Sequence, residues 1–190
     1  DITLDDQPVL SHPLLLAWHK PFGVQCTYRD PWGRQGLENA LPQEWRTLFH
    51  PIGRLDAETT GLLLFGRNGQ LTQWLLHPRR AIKRTYQAVV QGQINEDAVE
   101  KLRAGVTTSE GTFSSEVAQY SGERIELSVR QGRHRMVRRM LANVGHPVVG
   151  LHRIRYGPIS LGTLPVGEAR GITTSERRGL ESAGAPLRDF

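Results

Sequence analysis

Cysteine occurs once in the 190 residues, at Cys26, so no internal disulfide can form and a thiolate metal cluster is excluded. A reducing compartment, the cytoplasm, is the expected setting. Long apolar runs are also missing. The longest, "PLLLAW" and "GLLLF", have the length of strands and fall far short of a membrane span. The glycines of "GLLLFGRNG" lack both the Lys-Ser/Thr ending of a phosphate loop and the dinucleotide-binding spacing, so nucleotide triphosphate binding is not expected. His134, His146 and His152 follow no metal-ligand spacing and have no nearby carboxylate, so no metal or other cofactor is expected. Cys26 has only His19 nearby as a base and reads as a small buried residue rather than a nucleophile. No internal repeat or long linker interrupts the chain.

Acidic residues are absent from Leu127 to Gly167, and this absence gives the charge its direction. The formal net charge is +5 and the pI about 9.9, which favours an anionic partner. Arg130, Arg133, Arg135, Arg138, Arg139, Arg153 and Arg155 all fall in the acid-free stretch. In "RHRMVRRMLANVG" the apolar residues Met136, Val137, Met140, Leu141 and Val144 recur at helical spacing. Arg135, Arg138 and Arg139 are expected to share the opposite face. A solvated basic helix accounts for such a run. Arg133 at the helix entrance, where backbone N–H groups face outward, favours a phosphate-contacting surface instead.

Strand-like segments outnumber helical ones and do not alternate with them. The expected fold is therefore α+β, with a mixed, mainly antiparallel sheet flanked by helices. Strands are expected from Leu14, through Leu62–Phe65, in "KRTYQAVVQG", in "RIELSVRQG" and in "VVGLHRIRYG". Helices are expected in "LENALPQEW", broken by Pro42, in "LTQWLLHP", and in "NEDAVEKLRAG" with Asn95 as its cap. Residues 1–13 read as a flexible arm, 14–174 as one catalytic domain with up to two lobes, and 175–190 as a flexible tail.

The segment "HPIGRLDAETTGLLLF", His50 to Phe65, carries the sharpest chemical signal. An aspartate at such a bend is ordinarily a turn former or a helix cap. Here Arg54 lies two residues before Asp56, and the basic helix offers a second partner. A carboxylate held near fixed cations can serve as a nucleophile or base.

The same segment resembles the Gly-Arg-Leu-Asp signature of pseudouridine synthases, specifically the RsuA branch that modifies ribosomal RNA. "AWHKPFGV" resembles that family's first motif, "KRTYQAVVQG" its Lys-Thr-Tyr strand, and "QGRHRMVRRMLANVGHPVVGLHRIRYGPISLG" its arginine-rich third motif. The motifs stand in family order and cover most of Leu15 to Gly162. His19 departs from the usual asparagine, and Met136 stands where glutamine is common. Many relatives carry a small S4 domain in front, and the expectation here is a member without one.

The resemblance implies a pseudouridine synthase fold with a central cleft. It makes Asp56 the catalytic aspartate, Tyr86 the ring that stacks on the target uracil, and Arg138 the arginine that pairs with Asp56. It further implies that Val137 packs against the base and that Arg54 and Leu55 shape the Asp56 loop, with Lys20, Arg133, Arg135 and Arg139 as further substrate-binding residues. The partner would be ribosomal RNA, with no membrane, no cofactor and a monomeric chain. A non-catalytic RNA-binding module in ribosome assembly is the alternative that keeps the basic cleft without the reaction.

Overall fold

Continuous apolar runs make strands that are buried on both faces, and the two strongest runs in this chain pair with each other inside its sheet. In the computed structural model, residues 13–28 and 31–187 are described, together with short paired strands β1 (Thr3–Leu4) and β2 (Gln7–Pro8). The expected arm otherwise lies outside the described residues. Strand β3 (Leu15–Lys20) leads through a loop and the short helix α1 (Gln43–Arg46) to β4 (His50–Ile52) and β5 (Thr59–Gly66). Leu16, Trp18, Leu63 and Phe65 point into one apolar cluster, while Leu15, Ala17, Leu62 and Leu64 point into a second on the other face.

Helix α2 (Gly69–Leu76) follows, with the Asn68 side chain accepting from Leu71 N–H at 3.0 Å. Its Leu71, Trp74 and Leu75 cover the second cluster. Then come β6 (Arg84–Val90), α3 (Glu96–Ala104), β7 (Val106–Thr108), β8 (Gly111–Phe113), β9 (Glu116–Ser121) and β10 (Arg124–Val129). Asn95 caps α3 as expected, accepting from Ala98 N–H at 2.9 Å. Helix α4 (Met136–Asn143) buries Met136, Val137, Met140 and Leu141 against the first cluster. Strands β11 (Val148–Tyr156), β12 (Ile159–Ser160) and β13 (Ala169–Gly171) and helix α5 (Thr174–Ser182) complete the chain.

The nine-stranded sheet runs β13-β3-β5-β11-β6-β10-β9, with β4 beside β5 and β12 beside β11. Only the β5–β11 pair is parallel among the described strands. This is the expected α+β, mainly antiparallel arrangement. At the parallel seam Gly61 has φ +100°, and a Cβ there would lie 2.3 Å from the Arg153 carbonyl oxygen, so only glycine permits the close approach. None of the described helices is long and apolar enough to cross a membrane.

The tail expected from residue 175 is instead helical over Thr174–Ser182, because the sequence carries a capping box. Thr173 Oγ1 accepts from Glu176 N–H at 3.2 Å, and the Glu176 carboxylate accepts from Thr173 N–H at 2.8 Å. Leu180, Ala185 and Leu187 are buried in the second cluster. Burial of Glu176 would raise its carboxyl, but the Arg170 guanidinium and the N–H groups of Thr173 and Ser160 outweigh it and bring the pKa down to about 2. A carboxyl depressed in the fold stabilises it above its unfolded pKa and loses that stabilisation as pH falls. Between about pH 4.5 and pH 2, Glu176 should therefore give up on the order of 2–3 kcal/mol. Denaturant titrations across that window should show Glu176→Gln less stable than the parent at pH 7, with the gap closing towards pH 2. A gap that does not change with pH would contradict the assignment.

Candidate active site

The bend between β4 and β5 carries Asp56, and contacts from two directions hold it. From the end of β3, the Lys20 ammonium is wholly buried and donates to the carbonyls of Pro21 (3.0 Å), Ala57 (3.2 Å) and Thr59 (3.0 Å). Burial pulls its pKa below the usual lysine range, partly offset by Cys26 and Asp56. Gly23 N–H also donates to the Ala57 carbonyl at 2.9 Å. Leu55 N–H donates to Cys26 Sγ at 3.3 Å, while burial pushes the Cys26 thiol up. From α4, Arg138 Nη2 donates to the Glu58 carbonyl (3.1 Å) and to Thr59 Oγ1 (3.3 Å).

These contacts present the Asp56 side chain, 27% exposed, to a cavity of about 580 Å³. Arg135 Nη1 lies 3.4 Å from Asp56 Oδ2, and its Nη2 lies 3.3 Å from Glu58 Oε2. Arg138 is 9% exposed and brings its Nε to 4.0 Å from the same Asp56 oxygen. That Nε is buried with no hydrogen-bond partner among the described residues, so it stands as a spare donor beside the carboxylate. Burial and the neighbouring Arg135 lower the Arg138 pKa, and Glu58 and Asp56 work against that shift. Arg135 precedes α4 with φ 51° and ψ 26°, a left-handed conformation that costs a non-glycine residue about 1 kcal/mol. The cost buys its reach across to Asp56.

Tyr86 comes from β6, where it lies between Leu127 of β10 and Arg153 of β11. It is buried, as are Val137, Leu55 and Leu151, and with them it lines the cavity. Met136 adds a further apolar contact where a glutamine is common in the family motif. Arg54 and Arg133 stand exposed at the rim. Asp56, Tyr86, Arg54, Leu55, Val137, Arg133 and Arg135 are thus brought to one cavity, with Arg138 directly behind the carboxylate.

Two of the expected substrate contacts lie elsewhere. Lys20 is sealed beneath the bend, where its donors are taken by backbone carbonyls, so it positions the loop and does not reach the cavity. Arg139 turns to Glu110 (2.7 Å) and Ser109 (3.1 Å) at the β7–β8 turn. It does not share a face with Arg138, because adjacent helical residues diverge by about 100°. Cys26, expected to be small and buried, is only half-buried: it lines the cavity and accepts from Leu55 N–H. His19 replaces the family's asparagine with a ring 5.3 Å from that of His152 and an Nδ1 2.7 Å from the Leu164 carbonyl oxygen.

The family of RNA pseudouridylate synthases matches residues 14–143. The chain belongs to that family. It is 38% identical over 162 residues to the ribosomal large subunit pseudouridine synthase B of Yersinia pestis, covering 83% of this chain and 50% of the relative. The Escherichia coli K12 protein of the same name is 37% identical, with 83% and 55% covered. The chain thus spans about half the length of the curated relatives it matches. A crystal structure of a pseudouridylate synthase superposes with a TM-score of 0.81 at 26% identity, over 89% of this chain and 74% of the other. Membership in the pseudouridylate synthase family agrees with the resemblance read from the motifs and with the α+β sheet.

Proposed function

We propose that this chain converts a uridine of ribosomal RNA to pseudouridine, with Asp56 as its nucleophile or base. The observation that carries the reading is the placement of one carboxylate at 3.4 Å from Arg135, facing a cavity lined by Tyr86 and Val137. Isomerisation breaks the N1–C1′ bond and joins C1′ to C5; C5 gives up a proton and N1 gains one. No electron or group donor is consumed, and a positioned carboxylate can carry both covalent and proton-transfer steps.

The target base is normally stacked, so it must leave its helix to reach Asp56. The cavity is within the size range of small-ligand sites, and the Tyr86 ring offers a surface for the displaced uracil. Arg54 and Arg133 at the rim suit the flanking phosphates, as guanidinium groups pair with phosphate oxygens in a bidentate manner. Arg138 Nε and Arg135 stand beside the carboxylate and orient it towards the cavity. The relatives named as ribosomal large subunit pseudouridine synthase B support ribosomal RNA as the substrate class.

Carbodiimide mapping of ribosomal RNA from a strain lacking the gene, with and without the chain restored, tests this reading. At least one pseudouridine should disappear with the gene and return with the chain. Identical maps in both strains would refute it.

A further inference from the structure

A second cavity, about 920 Å³, opens beside the first, and Gln131 and Met136 line both. Its wall holds Arg79, Arg103 and Arg130, and Glu116 is its one acidic lining residue. Arg130 follows β10, and Lys83 precedes β6, so the ends of two neighbouring strands carry cations towards β9, where Glu116 sits opposite Ser128. Arg130 directs Nη2 (3.0 Å) and Nε (3.3 Å) at Glu116 Oε1, while Lys83 Nζ bonds Oε2. These two cations hold the Glu116 carboxyl below its usual range, Lys83 more than Arg130.

The side chains of Lys83, Glu116 and Arg130 are 42%, 53% and 58% exposed, so the cluster adds little to folding stability. Its geometry is that of anion capture. A guanidinium fork and an ammonium converge on one pair of oxygens, and a phosphate presents the same oxygen acceptors as a carboxylate.

Resting on the reading of the chain as an RNA-modifying enzyme, we infer that the groove over Arg79, Arg103 and Arg130 carries the RNA strand next to the target nucleotide. In the free chain, Glu116 occupies the phosphate site made by Lys83 and Arg130. RNA binding swings the Glu116 carboxylate aside and seats a backbone phosphate between the two cations. Ser114, exposed on the same wall, gives a hydroxyl to the strand. Because Glu116 must be displaced, it lowers the affinity for any strand that seats a phosphate there.

The test is the salt dependence of binding of a fluorescently labelled oligouridylate, followed by anisotropy. Glu116→Gln should tighten binding roughly five-fold with the log–log salt slope unchanged, because parent and variant seat the same phosphate and only the cost of displacing Glu116 is removed. Arg130→Gln or Lys83→Gln should weaken binding by a similar factor and make the slope shallower by up to about 0.7, the value of one single-strand phosphate contact. Glu181→Gln and Arg177→Gln make the same changes of charge in the exposed pair on α5, and should leave both affinity and slope where they are. Thermal melts check that each variant is folded.

Equal affinities for Glu116→Gln and Glu181→Gln would overturn the inference, as would a parent-like slope in Arg130→Gln or failure of the parent chain to bind the RNA. Pseudouridine formation by the parent is scored separately. Loss of that activity with the affinities and slopes as expected would sink the reaction and keep the groove; activity with a parent-like slope in Arg130→Gln would do the reverse.

Discussion

Replacing Asp56 with asparagine should stop pseudouridine formation while leaving the fold and RNA affinity nearly as they were. The amide has the shape of the carboxylate and can still accept from Arg135 at the 3.4 Å position now held by Oδ2. The backbone ties of the bend, from Lys20, Gly23 and Arg138, do not involve the side chain at all. What the amide lacks is the negative charge and the basicity that make a nucleophile or a base. Removal of a sole nucleophile typically lowers turnover on the order of 10⁴-fold or more. Release of tritium from C5 of labelled uridine in a ribosomal RNA fragment, under single-turnover conditions, measures the step directly. A rate within ten-fold of the parent would remove Asp56 from the chemistry, whatever the binding data showed. A large fall in RNA affinity would instead give the side chain a binding role.

The parts of this molecule that could be read in advance are those where local pattern and tertiary setting agree. "LLLAW" and "GLLLF" specify strands buried on both faces, and Asn95 with acids behind it specifies a helix start; each is found where expected. The Gly-Arg-Leu-Asp bend and the basic segment were legible as chemistry, and they meet across the cavity although separated by 79 positions in the chain. Helix α5 was missed because its hydropathy is low and its helix signal lies in the Thr173–Glu176 capping box, a pattern of two residues inside "TTSERR". Strand β9 was missed for a different reason. It is an edge strand with mostly exposed residues, so nothing in its apolar content marks it and pairing with β10 alone defines it. The direction of Arg138 depended on where α4 begins, and the left-handed turn at Arg135 that sets this has no sequence marker, since glycine is the residue such a turn would normally display.

Lys20 gives the largest expected effect outside the reacting atoms, and Lys20→Met is its test. Methionine keeps an unbranched chain of nearly the same length, so the packing around β3 is largely preserved. The loss is confined to the ammonium, whose three donors reach the Pro21, Ala57 and Thr59 carbonyls at 3.0–3.2 Å. Ala57 retains the Gly23 N–H, whereas the Pro21 and Thr59 carbonyls lose the bonds they now receive from Lys20. At about 1–3 kcal/mol for each buried group left unsatisfied, the variant should lose about 3 kcal/mol of stability after relief of the desolvation penalty on the buried charge. A purely structural loss would lower activity only through the fraction of folded chain. A positioning role predicts more: with the fold intact at low temperature, kcat should fall at least ten-fold while KM for RNA changes little, because Arg54, Arg133 and the Tyr86 surface still bind the strand and Asp56 alone is displaced. Lys20→Arg should fail to rescue kcat, since a planar guanidinium does not fit the space of an ammonium with three converging carbonyls. If Lys20→Met retained full kcat at a temperature where it is folded, the buried ammonium would be a stabilising group only, and the Asp56 bend would owe its shape to Arg138 and the Cys26–Leu55 contact.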